Sequence, residues 1–271
     1  MRKKVLLIGG NSLVGKSIVP GLGDNYQMIL TAGHYVPENG YQLMIEEPNK
    51  LVEILALENP EIVISSIRGN YQSQMSFHKT LAEWVAVEKK RLLYISTANV
   101  FDGNLSRPWT EHDLPMPESD YGSFKRDCES MLEKILENRL IIFRLAAVWS
   151  NDCPRVQQLK RYSRNKEPYR TYPNYRINVT HAKQIGNYAK YVFDNNLHGI
   201  FHVGTRDTVN YFSFEKMVCE TLQIDMPQFL AEPEDEEACF AILSARKEIP
   251  DDLQMTVTDV LSTLKEHNKN Q

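Results

Sequence analysis

The sequence has little of what marks several large protein classes. No apolar run approaches the roughly 20 residues that span a bilayer, so no membrane partner is expected. Its 4 cysteines, Cys128, Cys153, Cys219 and Cys239, are scattered, without a CxxC pair or a metal-like spacing. We therefore expect reduced thiols in a cytoplasmic protein, and no metal site.

Neither sign of charge dominates. The 271 residues include 31 Lys and Arg against 35 Asp and Glu, a formal net charge of -4, which gives no general reason to bind nucleic acid. With 42% hydrophobic and 24% charged residues, the composition excludes a disordered chain, a collagen-like repeat and a coiled coil. A chain of this length can bury one large core or two unequal ones.

The chain opens with MRKKVLLIGG, a basic and then apolar start. A signal peptide begins in a similar way, but this apolar run is too short and leads into a glycine turn without a cleavage site of small residues. Residues 4–8, KVLLI, instead predict a buried parallel strand.

Strand-like and helix-like segments then alternate. Short apolar segments predict further strands at 27–31, 42–45, 62–65, 91–96, 140–144 and 199–203, and amphipathic segments predict helices at 13–22, 51–57, 75–87, 121–137, 183–195 and 257–266. This alternation predicts an α/β fold with a doubly wound parallel sheet of the Rossmann type. In such sheets, ligands bind at the carboxyl ends of the strands.

The glycine turn after the first strand, IGGNSLVGKS, fits two nucleotide-binding patterns. GNSLVGKS is a complete P-loop, in which Lys16 would reach the phosphates and Ser17 would hold magnesium. Alternatively, Gly9, Ser12 and Gly15 form a dinucleotide-binding turn with serine in place of the middle glycine. A third interpretation is a tight turn that binds nothing.

The rest of the chain favours the dinucleotide. A P-loop enzyme needs a second strand that ends in a magnesium-organising aspartate, but the strands at 62–65 and 91–96 end in serine. The start of the helix after the turn offers N–H groups and a dipole to a pyrophosphate. The cofactor-binding residues predicted from the turn, the strand ends and the helix discussed below are Gly9, Asn11, Ser12, Leu13, Val14, Thr31, Ser65, Ser66 and Lys125.

The second strand predicts which dinucleotide is bound. NAD enzymes usually place an acid at its end for the ribose diol, whereas this chain has Thr31 followed by Ala, Gly and His34. Without an acid, a 2′-phosphate is tolerated, and Lys16 and His34 are the basic residues nearby. We predict NADP, with NAD as the alternative.

After residue 150 the pattern becomes less regular. We predict a smaller C-terminal lobe that binds substrate and is interleaved with the dinucleotide-binding domain. The predicted domain covers residues 1–150, to which 177–204 return, and the predicted lobe covers 151–176 and 205–271.

Tyr121 and Lys125 lie four residues apart on the most regular predicted helix and therefore project from one face. Tyr162 and Lys166 share that spacing, so the spacing alone carries little weight. The first pair, however, follows a buried strand that ends in Ser-Thr97. The alternative to an active site is that Tyr121 and Lys125 lie at an exposed helix start and that the lysine is solvated.

These side chains suit a ketone reductase, because a carbonyl oxygen that receives a hydride at its carbon needs a proton from a positioned acid. The phenol pKa of about 10 would have to fall by about three pH units, roughly 4 kcal/mol. The Lys125 ammonium and the charge of the nicotinamide would favour the phenolate, and Thr97 would hydrogen-bond the substrate oxygen. The predicted catalytic residues are Thr97, Tyr121 and Lys125.

The stretch ISTANVFDG at 95–103, followed by YGSFK at 121–125, resembles the dTDP-4-dehydrorhamnose reductase family of extended short-chain dehydrogenases/reductases, which bind sugar nucleotides. That family typically carries an STDYVFDG-like segment and a YGxxK motif at this separation. The resemblance extends from the glycine turn through PEIVIS at 60–65 to FHVG at 201–204, and is loose in the C-terminal lobe.

The resemblance implies that Thr97, Tyr121 and Lys125 form the catalytic triad and that Lys125 also holds the nicotinamide ribose. It implies an NADP-dependent reductase whose substrate is a nucleotide-linked 4-keto sugar.

Several positions depart from the family pattern. The Asp-Tyr after the catalytic threonine is Ala98-Asn99 here, the middle glycine is Ser12, and the acid often found after the third strand is Met44. The Asp-Glu pair of nucleotide-sugar dehydratases has no counterpart. These departures leave the substrate open and support a second hypothesis, a non-catalytic NAD(P)-binding sensor or regulatory subunit. A P-loop nucleotide hydrolase is the third.

Basic residues and tyrosines interleave between residues 155 and 176. They are Arg155, Lys160, Arg161, Arg164, Lys166, Arg170 and Arg176, with Tyr162, Tyr169, Tyr172 and Tyr175. Nucleic acid could bind such a surface, but so could one nucleoside diphosphate, and a solvated surface is the plain alternative. Because the chain is acidic overall, we expect a nucleotide-sugar substrate, no nucleic acid, and a homodimer as the candidate assembly.

Overall fold

The computed structural model describes residues 2–38, 40–232 and 237–268. Its helices are α1 (Leu13–Leu22), α2 (Pro48–Glu58), α3 (Tyr71–Val87), α4 (Asp120–Leu136), α5 (Pro154–Asn165), α6 (Ala182–Asp194), α7 (Tyr211–Leu222) and α8 (Val257–Asn268). Its strands are β1 (Lys3–Ile8), β2 (Tyr26–Ala32), β3 (Gly40–Gln42), β4 (Ile62–Ser65), β5 (Arg91–Thr97), β6 (Leu140–Leu145), β7 (Ala147–Trp149), β8 (Pro168–Thr171), β9 (Tyr175–Ile177), β10 (Val179–His181), β11 (Gly199–Val203), β12 (Val209–Asn210), β13 (Gln228–Ala231) and β14 (Ala238–Phe240).

The main sheet confirms the predicted α/β class. It has 7 strands in the order β11-β6-β5-β4-β1-β2-β3, and β1 pairs in parallel with both β2 and β4. The strand order reverses between β1 and β4, which is the topological switch point where a doubly wound sheet binds its ligand. The glycine turn follows β1, so it lies at that point.

The central strands β1, β4, β5 and β6 are almost wholly buried because helices cover both faces of the sheet. Every residue of β4 and β6 is buried, as expected for parallel strands. One core cluster gathers residues of β1, β4 and β5 with α2, α3 and α4.

The predicted strand at 42–45 is wrong in its bounds, since β3 ends at Gln42. Beyond it, the Met44 amide donates to the Glu47 carboxylate at 2.8 Å and turns the chain toward α2.

Two glycines allow α1 and α6 to pack closely. A Cβ on Gly21 would lie 2.3 Å from the Gly186 carbonyl carbon, and a Cβ on Gly186 would lie 2.9 Å from the Gly21 Cα. Gly21 therefore serves close packing inside the helix. The helix ends at Leu22, and the next residue, Gly23, caps it with φ 55°, a conformation that suits glycine.

The chain divides into two compact units. The first comprises Met1–Thr97, Ser119–Arg144 and Ile185–Phe201, and the second comprises Ala98–Glu118, Leu145–Gln184 and His202–Gln271. The segment 98–118, which the sequence placed in the dinucleotide-binding domain, groups with the second unit because its backbone bonds there. Trp109 donates to the Ala241 carbonyl at 3.0 Å, and Leu243 donates to the Trp109 carbonyl at 2.8 Å.

The second unit contains three small sheets, β10-β7, β12-β9-β14 and β13-β8. The basic segment from residue 155, for which no helix was predicted, begins with α5. Pro154 stands at the start of this helix, and Val156 and Leu159 are its buried residues. Two apolar positions among many cations are too few to give a clear helical pattern.

Across residues 2–38, 40–232 and 237–268, no helix combines the length and apolarity needed to cross a bilayer.

We expect Gly186→Ala to destabilise the first unit. The added methyl meets helix backbone in α1, which cannot move aside as a side chain can, and overpacking of this kind costs about 2 kcal/mol. The midpoint of urea unfolding measures the effect. Gly10→Ala is the control, because its Cβ would make an ordinary contact of 3.5 Å with Leu30. Equal midpoints for the two variants would contradict the prediction.

Candidate active site

The carboxyl end of β5 and the start of α4 bring two predicted residues together. Ser119 caps α4 by accepting a hydrogen bond from the Gly122 amide at 3.0 Å, which fixes the first turn of the helix. The hydroxyl groups of Thr97 and Tyr121 are hydrogen-bonded to each other. Thr97 is nearly buried, whereas Tyr121 is 38% exposed. The phenol therefore lies at the surface of the first unit, beside the end of a buried strand.

Lys125, one turn further along α4, is only 6% exposed. Its ammonium donates to the Ile95 carbonyl oxygen at 3.0 Å and lies 4.6 Å from the centre of the Tyr94 ring. Burial lowers the lysine pKa to about 8, partly offset by Cys128 and Glu129. The ammonium is thus anchored to β5.

The pKa of Tyr121 is raised from its ordinary value of 10.0, chiefly because the phenol is partly buried. The charge of Arg68 and the hydrogen bond from Thr97 lower the pKa, and Tyr71 raises it. The expected lowering below 10 by Lys125 is therefore not what this structure shows. At neutral pH the phenol keeps its proton, which is the state that a proton donor requires.

A buried ion pair holds α4, the helix of Tyr121 and Lys125, against the sheet. Arg144 on β6 and Glu129 on α4 are each 2% exposed, and Arg144 Nη2 lies 2.7 Å from Glu129 Oε2. Ser96 on β5 donates to the same carboxylate. A buried pair with these bonds is costly to break, so it holds α4 in one position on the sheet. The two residues lie fifteen positions apart, one on a helix and the other on a strand. No local sequence pattern therefore predicts that they pair.

Four glycine-turn and strand-end residues meet at the switch point. Gly9 has φ 85°, and a Cβ on it would lie 2.5 Å from the Ser66 carbonyl oxygen. Ser12 caps α1 by accepting from the Gly15 amide at 2.9 Å, and its hydroxyl lies 2.9 Å from the Ser66 hydroxyl. The serine in place of the middle glycine thus fits the turn.

A cavity of about 370 Å³ opens beside this turn. It is lined by residues at or after the carboxyl ends of four strands: Gly9, Asn11 and Ser12 after β1, Ala32, Gly33 and His34 at and after the end of β2, Leu43, Met44, Ile45 and Glu46 after β3, and Ser66, Ile67, Arg68, Gly69 and Asn70 after β4. The amides of Leu13 and Val14 precede the first intrahelical bond of α1, so they are free of helical partners. Such amides suit a phosphate.

Of the predicted cofactor-binding residues, Gly9, Asn11, Ser12 and Ser66 line the cavity. Leu13, Val14, Thr31, Ser65 and Lys125 are not among the residues that line it. Their predicted contacts with the cofactor stay predictions.

The buried Thr31 instead shapes the turn through its backbone. Its carbonyl oxygen accepts hydrogen bonds from the amides of Gly9 at 3.2 Å and Gly10 at 2.9 Å.

Ser65 is buried and bonds to a histidine that the sequence did not single out. Its hydroxyl lies 2.8 Å from His78 Nε2, and His78 Nδ1 donates to the Gln74 carbonyl at 2.7 Å. Burial lowers the histidine pKa to about 3, so the ring is neutral and Nε2 accepts the serine proton. Gln74 in turn donates to the Gly69 carbonyl at 2.8 Å. These bonds fix both ends of the segment 65–69.

Sequence reasoning did not single out Glu46 or Arg68, although both follow strand ends. Their positions after strand ends could have indicated them as site residues, because the loops at the carboxyl edge of such a sheet bind the ligand.

The P-loop interpretation finds no support in the structure. The Ser17 hydroxyl donates to the Val14 carbonyl of its own helix at 2.7 Å, and β4 and β5 end in Ser65 and Thr97, without an aspartate.

Comparison with known proteins places this geometry in context. Residues 3–248 match the family described as RmlD substrate binding domain. The chain is 35% identical over 94 residues to methionine adenosyltransferase 2 subunit beta of Rattus norvegicus, covering 35% of this chain and 27% of that protein. It is 24% identical over 150 residues to the probable dTDP-4,6-dihydroxy-2-methyloxan-3-one 4-ketoreductase of Streptomyces antibioticus, covering 51% and 49%. The matches span less than half the length of these curated relatives.

Among solved structures, the chain is similar to dTDP-4-dehydrorhamnose reductase from Bacillus anthracis str. Ames in complex with NADP. The TM-score is 0.80 at 16% identity, and the match covers 100% of this chain and 99% of the other. At this identity, the likeness establishes the fold.

We expect Lys125→Met to raise the stability of the protein at pH 7. The fold lowers the Lys125 pKa from 10.5 to about 8, so the charged lysine opposes folding by on the order of 3 kcal/mol. That cost is fully present below about pH 8, is lost progressively as the pH rises from 8 to 10.5, and is absent above 10.5. The melting temperature, measured from pH 6 to 11, should therefore favour the variant most at the acidic end.

The matched control is Lys134→Met, on the exposed side of the same helix. It should show no such pH-dependent difference. A Lys125→Met protein that is less stable than the parent at pH 7 would refute the expectation.

Proposed function

This chain belongs to the RmlD substrate binding domain family, and we propose that it is an NADP-dependent oxidoreductase of the extended short-chain dehydrogenase/reductase type. Its reaction is the reduction of a keto group on a nucleotide-linked sugar. The observation that carries this proposal is the Tyr121 phenol, hydrogen-bonded to Thr97 at the end of β5, with Lys125 one helical turn away.

Tyr121 is the proton donor in the proposed reaction. Its phenol is partly exposed and protonated at neutral pH, because burial raises its pKa. When the carbonyl carbon has gained a hydride, the oxygen takes the phenolic proton and becomes a hydroxyl group. The phenolate that remains is then reprotonated from water.

Thr97 orients the substrate. Its hydroxyl is within hydrogen-bonding reach of the phenol, so a carbonyl oxygen held by Thr97 also lies near the phenolic proton. Positioning of this kind contributes because the reacting atoms must meet within about 3 to 3.5 Å.

Lys125 is the proposed ligand of the nicotinamide ribose. Its anchoring to the Ile95 carbonyl at 3.0 Å gives the ammonium a fixed position, and two N–H donors are left for ribose hydroxyl groups.

The cavity at the switch point fits a dinucleotide. The Gly9 turn leaves no room for a side chain against Ser66, and the start of α1 presents amides suited to a pyrophosphate. When bound, the nicotinamide supplies the hydride. No acid follows β2 before His34, which lines the cavity together with Glu46 from the segment after β3, so no carboxylate at the end of β2 opposes a 2′-phosphate. The Bacillus anthracis reductase in complex with NADP supports the same choice.

The proposed substrate class rests on the family and on the second unit. The Streptomyces antibioticus relative is named as a 4-ketoreductase of a dTDP-linked compound. In the second unit, α5 carries Arg155, Arg161 and Arg164, guanidinium groups of the kind that bind pyrophosphate. We therefore assign the dinucleotide to the first unit and the sugar nucleotide to the second.

Tyr121→Phe should abolish the reaction and leave cofactor binding intact. Loss of a positioned acid lowers the rate by about 10² to 10⁴. The assay follows NADPH absorbance after addition of a dTDP-4-keto-6-deoxy sugar, and calorimetry follows NADPH binding. Tyr41→Phe is the control, because it removes a phenol on β3 that donates to Glu58 at 2.5 Å. Equal activity of the two variants would exclude Tyr121 as the donor.

His34→Asp should invert the cofactor preference. The new carboxylate would repel a 2′-phosphate and accept hydrogen bonds from a ribose diol. We expect the dissociation constant for NADPH to rise at least about tenfold, or 1.4 kcal/mol, and that for NADH to fall or stay level. His34→Ala separates the loss of the imidazole from the gain of the acid. An equal loss of affinity for both cofactors would contradict the proposed position of the 2′-phosphate.

A second candidate function is a non-catalytic NAD(P)-binding subunit. The observation in its favour is the 35% identity over 94 residues to a protein named as a subunit beta, together with Ala98 and Asn99 after Thr97. This function predicts that the chain binds NADPH but consumes none with any nucleotide-linked keto sugar, and that Tyr121→Phe behaves as the parent does.

We further propose a cytoplasmic location and a homodimer. All four cysteines are free thiols, three of them buried, which suits a reducing compartment. Light scattering on the purified chain tests the dimer.

A further inference from the structure

His78 is a fully buried residue of α3 to which the proposed reaction assigns no role. Its ring is held at both nitrogen atoms, because Nδ1 donates to the Gln74 carbonyl at 2.7 Å and Nε2 accepts from the Ser65 hydroxyl at 2.8 Å. A buried imidazole with both nitrogens bonded has one tautomer and one orientation. His78 is therefore a rigid group beside the end of β4.

The same imidazole packs against Tyr94 of β5. Ser65 and Tyr94 are register partners on the adjacent strands β4 and β5, so their side chains project from the same face of the sheet. The ring centres of His78 and Tyr94 lie 5.0 Å apart, with an interplanar angle of 84°. Aromatic pairs favour this edge-to-face arrangement. His78 thus contacts both strands of the pair.

The Tyr94 ring in turn contacts Lys125. The lysine ammonium lies 4.6 Å from the centre of that ring and donates to the Ile95 carbonyl at 3.0 Å. Lysine has a flexible four-carbon stem, so one hydrogen bond leaves the ammonium free to rotate about its acceptor. The cation–π contact supplies a second fixed point. The orientation of the Tyr94 ring therefore determines where the ammonium lies.

His78 differs from the other residues that surround Tyr94. The core cluster that contains Tyr94 consists mainly of aliphatic side chains, which fill space without directing an aromatic ring. His78 presents a ring whose own orientation is set by hydrogen bonds. Burial and the charge of Lys125 lower the pKa of this histidine to about 3. The imidazole is therefore uncharged and does not repel the nearby ammonium.

We propose that His78 is a positioning residue for the dinucleotide: it holds the Tyr94 ring and, through that ring, fixes the Lys125 ammonium where it meets the nicotinamide ribose. This inference rests on the proposed role of Lys125 as the ribose ligand. His78 itself touches neither cofactor nor substrate. It acts through two successive contacts, from imidazole to phenol ring and from phenol ring to ammonium.

The first measurement needs neither cofactor nor activity. The ring current of Tyr94 displaces the NMR resonances of the Lys125 Cε protons, and Tyr94→Leu identifies them by removing the displacement. We expect His78→Leu to lose most of this displacement, and His78→Phe, which keeps a ring beside Tyr94, to retain part of it. Val85→Ala is the matched control, because Val85 is equally buried in the same core cluster but lies about two helical turns further along α3. It should leave the resonances in place.

NADPH affinity, measured by calorimetry, gives the second readout. The dissociation constant should rise about tenfold in His78→Leu, within the range of coupled contacts, and less in His78→Phe. In a Lys125→Met background the same His78→Leu change should cost no further affinity, because the ammonium that His78 positions is gone. A role limited to stability would instead lower the affinity equally in both backgrounds. Thermal melting confirms that each variant is folded at the temperature of the measurement.

The outcomes separate this inference from the proposed function. Unchanged Lys125 resonances in His78→Leu refute the role of His78, even if the protein reduces a keto sugar. Equal losses of NADPH affinity with and without Lys125 refute it as well. If the parent protein binds no NADPH, the proposed function fails, and the resonances alone decide whether His78 holds the ammonium.

Discussion

The close approach of two backbone segments at the reversal of strand order is the constraint on which the proposed site depends. The glycine turn after β1 passes so near the end of β4 that Gly9 has no room for a Cβ beside Ser66. Gly15 is equally confined, since a Cβ there would lie 2.3 Å from the Gly9 carbonyl oxygen. This contact places the start of α1 and the segment after β4 on either side of one cavity. Binding groups from distant parts of the sequence thereby face the same ligand.

Local pattern was enough to predict the fold class and the core of the site. The central strands were recognisable because helices cover both faces of the sheet, so most of their residues are apolar. Tyr121 and Lys125 were distinguished from the similarly spaced pair Tyr162 and Lys166 because they follow a strand, β5, that ends in hydroxyl residues. The fold then placed Thr97 in contact with Tyr121, as its position at the strand end implied.

What the sequence did not predict depends on contacts between distant segments. The pair of Glu129 and Arg144 joins a helix to a strand in the core, and neither residue differs locally from a surface charge. Arg68 lines the cavity because the segment after β4 lies beside the glycine turn after β1. The direction of the Tyr121 pKa also required the structure, since burial, which no spacing reveals, outweighs the nearby charges. The helix α5 was not predicted because its two buried apolar residues, Val156 and Leu159, lie among cations and form too short a pattern.

The buried charges of the site differ in their effect on the stability of the fold. Glu129 and Arg144 are buried together and satisfy each other, so they favour one arrangement of α4 on the sheet. Lys125 is buried against the Ile95 carbonyl and the Tyr94 ring, and it opposes folding while it is charged. Such a residue is retained for the position it gives an ammonium group, a common exchange of stability for activity.

The order of segments along the chain has a consequence for how the protein is made. The first unit is completed only by residues 185–201, which supply α6 against Gly21 and most of β11 beside β6. Until these residues leave the ribosome, β6 is an unpaired edge whose residues are all apolar or destined for the core, a state prone to pairing with other chains. The nascent chain must therefore carry an open sheet edge through the synthesis of residues 145–184. A holding chaperone would be most useful during this interval.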